Sequence, residues 1–197
     1  MAKMYFRFGA MNCGKSTKLL QVAHNYEEQG MKILLIKPSI DKKAGEKVSS
    51  RIGIERKVDL LLTPSETIRE NLAIGNITFD NLDCILVDEA QFLTKEQVSE
   101  LWVISKLCNI PVICYGLKTN FKGELFEGSK ALLEKCDKLE ESSTICKCGA
   151  KARFNARIEN GDYVLEGSEV AIDGIDARYE SLCGTCYIKK VLKLKKY

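Results

Sequence analysis

Eight consecutive residues, Gly9-Ala10-Met11-Asn12-Cys13-Gly14-Lys15-Ser16, fit the phosphate-loop pattern G-x-x-x-x-G-K-[ST]. The chemistry needs these residue types at this spacing. Glycines let successive backbone N–H groups turn inward around phosphates, and the amino end of the following helix adds roughly half a positive charge. Lys15 then reaches the β- and γ-phosphates, and the Ser16 hydroxyl binds Mg²⁺. Such a loop needs an acidic strand end to complete the magnesium shell, and Ile85-Leu86-Val87-Asp88 supplies one, with Asp88 as the magnesium residue. Glu89, the next residue, lies at the carboxyl edge of the expected sheet, where open α/β folds bind ligands. It can accept a proton from a nucleophile aimed at the γ-phosphate.

A second constellation is made of sulfur. Cys146-x-Cys148 and Cys183-x-x-Cys186, each beside a glycine, frame a β-rich stretch, and four thiolates match a closed tetrahedral zinc site. A closed site has no open position for substrate, so its role is structural. Of the nine cysteines, Cys84, Cys108, Cys114 and Cys136 read as small core residues. Cys13 reads as loop filler, the alternative being a thiol activated by the helix terminus.

The elements that must position these groups follow from the apolar pattern. Met4 to Phe8 is a short strand ending at Gly9, and Leu19, Leu20, Val22, Ala23 and Tyr26 recur at helical spacing up to Gly30. Lys32 to Lys37, Cys84 to Val87 and Pro111 to Gly116 are aliphatic runs of the kind parallel sheets bury on both faces. Thr63-Pro64-Ser65-Glu66 and Thr94-Lys95-Glu96-Gln97 both carry capping-box signatures, predicting helices up to about Gly75 and Cys108. Ser39 to Lys57 is polar and reads as a long mobile loop. After about Glu141 the pattern turns to short alternating segments, with hairpin signals at Asn160-Gly161 and Asp173-Gly174.

Composition excludes several classes. The 197-residue chain has one histidine, His24, so two-histidine zinc hydrolysis is ruled out; carboxylates and lysines must carry the chemistry. An odd number of cysteines argues against a fully paired secreted framework. No run approaches the roughly eighteen apolar residues of a membrane span, and Met1 to Phe8 lacks a signal-peptide core, so a cytoplasmic protein is expected. A net charge of +3 is only a mild excess.

A phosphate loop with Asp88-Glu89-Ala90-Gln91 allows two classes: a nucleic-acid-dependent ATPase with a zinc ribbon, or a small-molecule kinase. Helicase motors need two such domains, usually more than about 300 residues in all, and a basic, aromatic-studded stripe for the strand. The chain has room for one domain and no such stripe, which favours the kinase; spacing does not name the acceptor.

Gly9 to Thr17, Val87 to Phe92, Tyr115 to Phe121 and the two cysteine pairs together resemble the type II, zinc-containing thymidine kinase family. The resemblance spans nearly the whole chain. It implies an α/β fold with a P-loop, RecA-like core and a mostly parallel sheet (1–144), plus a small β-rich zinc-binding domain carrying a lasso loop and a basic tail (145–197). It implies ATP-dependent phosphorylation of the 5′-hydroxyl of thymidine and deoxyuridine, with Mg²⁺ and structural Zn²⁺. A homotetramer without nucleic-acid or membrane partners is likewise implied. Gly9, Ala10, Met11, Asn12, Cys13, Gly14, Lys15, Ser16 and Thr17, with Asp88 and Gln91, then belong to the nucleotide site, and Glu89 is the catalytic base. Met11, Phe92, Leu117 and Phe121 line the nucleoside pocket. Val170, Ala171, Ile172, Asp173, Gly174 and Tyr179 match the lasso, whose backbone reads the thymine edge. Asp173 replaces a glycine common there. An arginine that the family places near the transferring phosphate has no direct counterpart, leaving Lys43, beside Lys42, or Arg51 for that role.

Overall fold

The computed structural model describes residues 1–39, 46–50, 52–75, 77–167 and 177–194. Its first part runs β1 (Met4–Phe8), α1 (Lys15–Glu28), β2 (Ile33–Pro38), β3 (Lys47–Ser49), β4 (Glu55–Lys57), β5 (Leu60–Leu62) and α2 (Ile68–Ile74). It continues through β6 (Cys84–Val87), α3 (Lys95–Leu107), β7 (Val112–Gly116), α4 (Glu127–Lys135) and β8 (Lys138–Glu141). Short strands follow, β9 (Thr144–Ile145), β10 (Lys151–Ala152), β11 (Phe154–Glu159), β12 (Asp162–Val164) and β13 (Ala177–Leu182), before helix α5 (Gly184–Lys190).

Six strands form one parallel sheet in the order β5-β2-β6-β7-β1-β8. Because side chains alternate across a strand, each aliphatic run feeds two cores. Leu34, Ile36, Ile85, Val87, Val112 and Cys114 face α2, α3 and α4, meeting Leu72, Leu101 and Leu132. Their sequence neighbours Leu35, Leu86, Ile113 and Tyr115 face α1 and meet Leu19, Leu20 and Ala23. The α/β class expected from the pattern is the one observed.

The structure adds what the pattern did not show. Strand β8, Lys-Leu-Glu-Glu, is exposed along its length, so no apolar alternation marks it; backbone pairing with β1 and the Arg7–Glu140 ion pair at 2.6 Å hold it. The polar stretch read as a mobile loop contains the β3–β4 hairpin, anchored by Val48, which is buried against the α1-side core. The helix expected from Thr63 starts instead at Ile68. Thr63 and Glu66 close a turn, with Thr63 N–H donating to Glu66 Oε2 at 2.8 Å, and the next such quartet supplies the cap, Thr67 Oγ1 accepting from Glu70 N–H. The Thr94–Gln97 capping box forms as expected. So does the Asn160-Gly161 hairpin, with both residues left-handed (φ 50° and 89°) between β11 and β12. Asp173-Gly174 lies outside the described residues. Cys84 and Cys114 are core residues, whereas Cys108 and Cys136 are half-buried at the ends of α3 and α4.

The β-rich part has its own core of Ala152, Ala156, Leu182, Tyr187 and Val191, with Phe154 stacked on Tyr187 at 4.8 Å. Helix α5 ties it to the segment between β7 and α4, where Tyr187 OH donates to the Phe121 carbonyl at 2.6 Å.

One close approach decides how the site edge is built. A Cβ on Gly128, in the first turn of α4, would stand 2.6–2.8 Å from the carbonyl oxygens of Ala90, Leu93 and Gln91. In an exposed helix alanine is favoured over glycine by about 1 kcal/mol, but here backbone must move to admit the methyl group. Gly128→Ala is therefore expected to lower stability in urea denaturation by about 1–3 kcal/mol. Gly75→Ala, whose Cβ meets nothing closer than 3.5 Å, is expected to change it by less than about 0.5 kcal/mol.

Candidate active site

Strands β1, β6 and β7 end side by side, Phe8 opposite Gly116 and Val87 opposite Cys114, so the residues that follow them share one edge. After β1 the chain enters the phosphate loop. Gly9 is required by contact: a Cβ there would lie 2.4 Å from the Ser142 carbonyl oxygen. Asn12 (φ 64°) and Gly14 (φ 76°) are both left-handed, and this curls the loop into the concavity an anion needs before α1 begins at Lys15. Lys15 Nζ donates back across the loop to the Ala10 carbonyl at 3.0 Å.

After β6 come the two carboxylates, in different surroundings. Asp88 is 5% exposed; burial first, then the neighbouring Glu89 charge, push its carboxyl up to about 7, while Lys37 and Lys15 pull the other way. Glu89 has a left-handed backbone (φ 49°, ψ 39°), unusual for a residue with a side chain, and opens the tight turn Ala90–Phe92. The turn buries Gln91. Its Nε2 donates to Glu89 Oε2 at 2.5 Å and its Oε1 accepts the Leu117 N–H at 3.0 Å, so one carboxamide ties the end of β6 to the end of β7. A Cβ on Gly116 would fall 2.7 Å from that Oε1.

These groups line a cavity of about 510 Å³. It brings together Met11, Asn12, Cys13, Gly14, Lys15, Ser16 and Thr17 of the loop with Glu89 and Gln91, and with Phe92, Leu117, Phe121 and Tyr179. Gly9, Ala10 and Asp88 are not among the lining residues. Sequence reasoning missed Phe126, Asn155 and Ser50, which also line it. Phe126 packs edge-on to Phe92 with ring centroids 5.5 Å apart, and Arg157 stands 5.3 Å over the Phe121 ring. No local motif marks Asn155, which enters from β11, far along the chain. Val170, Ala171, Ile172, Asp173 and Gly174 lie outside the described residues, as do Lys42, Lys43 and Arg51.

The four cysteines converge. The sulfurs of Cys146, Cys148, Cys183 and Cys186 all lie within 4.8 Å of one another. Four thiolates bound to one zinc ion at about 2.3 Å stand about 3.8 Å apart, so the donor set fits that ion with little movement. The backbone N–H groups of Cys148 and Cys183 pull the Cys146 thiol down to about 6, whereas the neighbouring sulfurs push Cys186 up to about 12, so the fit to a metal rests on the convergence of the four sulfurs. Gly149 (φ 87°) turns the C-x-C knuckle, and Cys183 caps α5, its sulfur accepting the Cys186 N–H at 3.4 Å.

The thymidine kinase family model matches residues 2–187. A thymidine kinase of Mannheimia succiniciproducens is 48% identical, covering 98% of this chain and 99% of that protein. Thymidine kinases of Vibrio vulnificus (48% identical, 95% of this chain and 97% of that one) and Francisella tularensis subsp. holarctica (46%, 93% and 95%) are similar over nearly the same extent. The Pif1 helicase structure from Candida albicans aligns at a TM-score of 0.39 and 10% identity, over 72% of this chain and 36% of that one, too distant to bear on the activity. With its phosphate loop, paired carboxylates and cysteine cluster in place, the chain belongs to the thymidine kinase family.

Proposed function

We propose that the protein transfers the γ-phosphate of ATP to the 5′-hydroxyl of thymidine, and of deoxyuridine, forming the nucleoside monophosphate and ADP in pyrimidine deoxynucleotide salvage. The observation that carries this reading is one cavity lined by Glu89, by the phosphate loop and by Phe92, Phe121 and Phe126. The loop suits a triphosphate and the aromatic rings a flat base.

The chain's own groups divide the work. The loop amides and Lys15 hold the triphosphate, Lys15 exchanging the Ala10 carbonyl for the β- and γ-phosphate oxygens. Phe92, Phe121 and Leu117 hold the base, together with Tyr179. Glu89 Oε2 is engaged by Gln91, which leaves Oε1 to take the 5′-hydroxyl proton as that oxygen attacks the γ-phosphorus. The bond from the γ-phosphorus to the bridging oxygen breaks, and ADP leaves. Ser16 and the buried Asp88 would hold Mg²⁺, which would supply charge neutralisation to the transferring phosphate. A carboxyl that burial and the adjacent Glu89 charge push up to about 7, with Lys37 and Lys15 pulling the other way, fits a site completed by a cation.

The division into a kinase core (1–144) and a zinc-binding lasso domain (145–197) belongs to the same reading, as does assembly into a homotetramer. In it the four cysteines hold zinc and keep the lasso and β11–β13 in place, outside the chemistry. ATP consumption assayed against a nucleoside panel and single-stranded DNA tests the activity directly. Stimulation by thymidine and deoxyuridine is expected; stimulation by DNA alone supports a nucleic-acid-dependent ATPase instead.

Replacing Glu89 by Gln keeps the shape and removes the base, so kcat is expected to fall by about 10²–10⁴-fold while the KM for thymidine stays within a few-fold. An undiminished kcat removes Glu89 from the role. Metal analysis of reduced protein is expected to find one zinc per chain, and stripping it with a chelator is expected to lower the unfolding temperature. Metal-free protein of unchanged stability contradicts the structural role.

A further inference from the structure

Two side chains of the cysteine-held sheet reach the phosphate loop, and they reach the same residue. Asn155 of β11 and Ser181 of β13 stand directly opposite each other in the antiparallel ladder. Asn155 Oδ1 accepts the Met11 N–H at 2.8 Å, and Ser181 Oγ donates to the Met11 carbonyl at 2.7 Å. Both backbone groups of one loop residue are therefore taken by an opposed pair, much as a neighbouring strand would take them.

The pair is itself oriented. Asn155 is 3% exposed, and its Nδ2 donates to the Thr119 carbonyl at 3.4 Å. Exchanging its oxygen and nitrogen would set donor against donor at Met11 and acceptor against acceptor at Thr119, so one rotamer of the amide is selected. Both strands lead to the sulfur cluster: β13 ends at Leu182, next to Cys183, and β11 follows β10, whose partner β9 ends at Ile145, next to Cys146. Thr144 of β9 adds a bond from its hydroxyl to the Asn12 carbonyl at 3.3 Å. Immediately beyond Met11 the loop makes its left-handed turn at Asn12.

We propose that Asn155 and Ser181 are positioning residues for the triphosphate. By gripping Met11 from both sides they preset the curl of the loop, so that its later amides meet the phosphates without rearrangement. The consequence for turnover rests on the kinase reading above; the effect on nucleotide binding does not, because the loop binds phosphates whatever the acceptor.

The test is calorimetric, on the full-length zinc-loaded protein, with the non-hydrolysable analogue AMP-PNP plus Mg²⁺ and with thymidine titrated separately. Ser181→Ala is expected to weaken AMP-PNP binding about fivefold, the effect of one lost hydrogen bond to ordered backbone. Thymidine binding, zinc content and unfolding temperature are expected to stay at wild-type values. Ser181→Thr restores the hydroxyl on a strand that favours β-branched residues, and it is expected to recover AMP-PNP affinity. A Ser181→Ala protein that binds AMP-PNP as tightly as wild type overturns the proposal. So does one that loses both ligands alike together with thermal stability, since that marks a purely structural residue. Wild-type protein that binds AMP-PNP but not thymidine defeats the kinase reading, and the comparison of Ser181 variants still decides the role of the pair.

Discussion

A single buried carboxamide organises the catalytic edge. Gln91 has no solvent to fall back on, so both ends of its side chain must find partners within the protein, and it finds Glu89 and the Leu117 amide. Much of the surrounding architecture serves that arrangement. The turn that buries it demands a left-handed Glu89, the oxygen that meets Leu117 leaves no room for a side chain at residue 116, and the turn's carbonyls sit so close to α4 that residue 128 must be glycine. The strain of the Glu89 backbone is a local cost held by this web of contacts, as strained residues at functional sites commonly are.

The electrostatics of the edge follow from depth. Asp88 and Glu89 are consecutive, yet Asp88 is buried at the strand end, where desolvation raises its carboxyl, and Glu89 opens onto the cavity. In the proposed reaction this difference in depth suits Asp88 to a cation and Glu89 to a substrate proton. The sulfur cluster adds a third kind of site, and the strands and helix beside it are tied to the cavity wall through backbone grips at Met11 and Phe121.

What the sequence disclosed depended on whether a feature is local. The phosphate loop, the acidic strand end and the cysteine pairs are short motifs whose residue types state their chemistry, and all of them fall where strand-loop-helix reasoning places them. Near-continuous aliphatic runs located the buried strands β2, β6 and β7, and a short β-prone run ending at Gly9 located β1. Strand β8 escaped because an exposed edge strand held by backbone bonds needs no apolar pattern. The start of α2 was misplaced because two T-x-x-E signals, 63–66 and 67–70, follow one another directly and only the tertiary packing chooses between them. Asn155, Ser181 and Phe126 were invisible for a related reason: their roles arise from contacts between segments up to 170 positions apart, which no spacing rule encodes.

If Glu89 and the phosphate loop act on one nucleoside hydroxyl in one cavity, removing that hydroxyl removes the reaction. Phosphorus NMR of the products formed from ATP with thymidine, compared with 5′-deoxythymidine, decides the point. One new phosphomonoester on C5′, equimolar with ADP, is expected from thymidine and none from the 5′-deoxy compound. ADP formed with thymidine left unmodified, or equal turnover when the 5′-hydroxyl is absent, would contradict it.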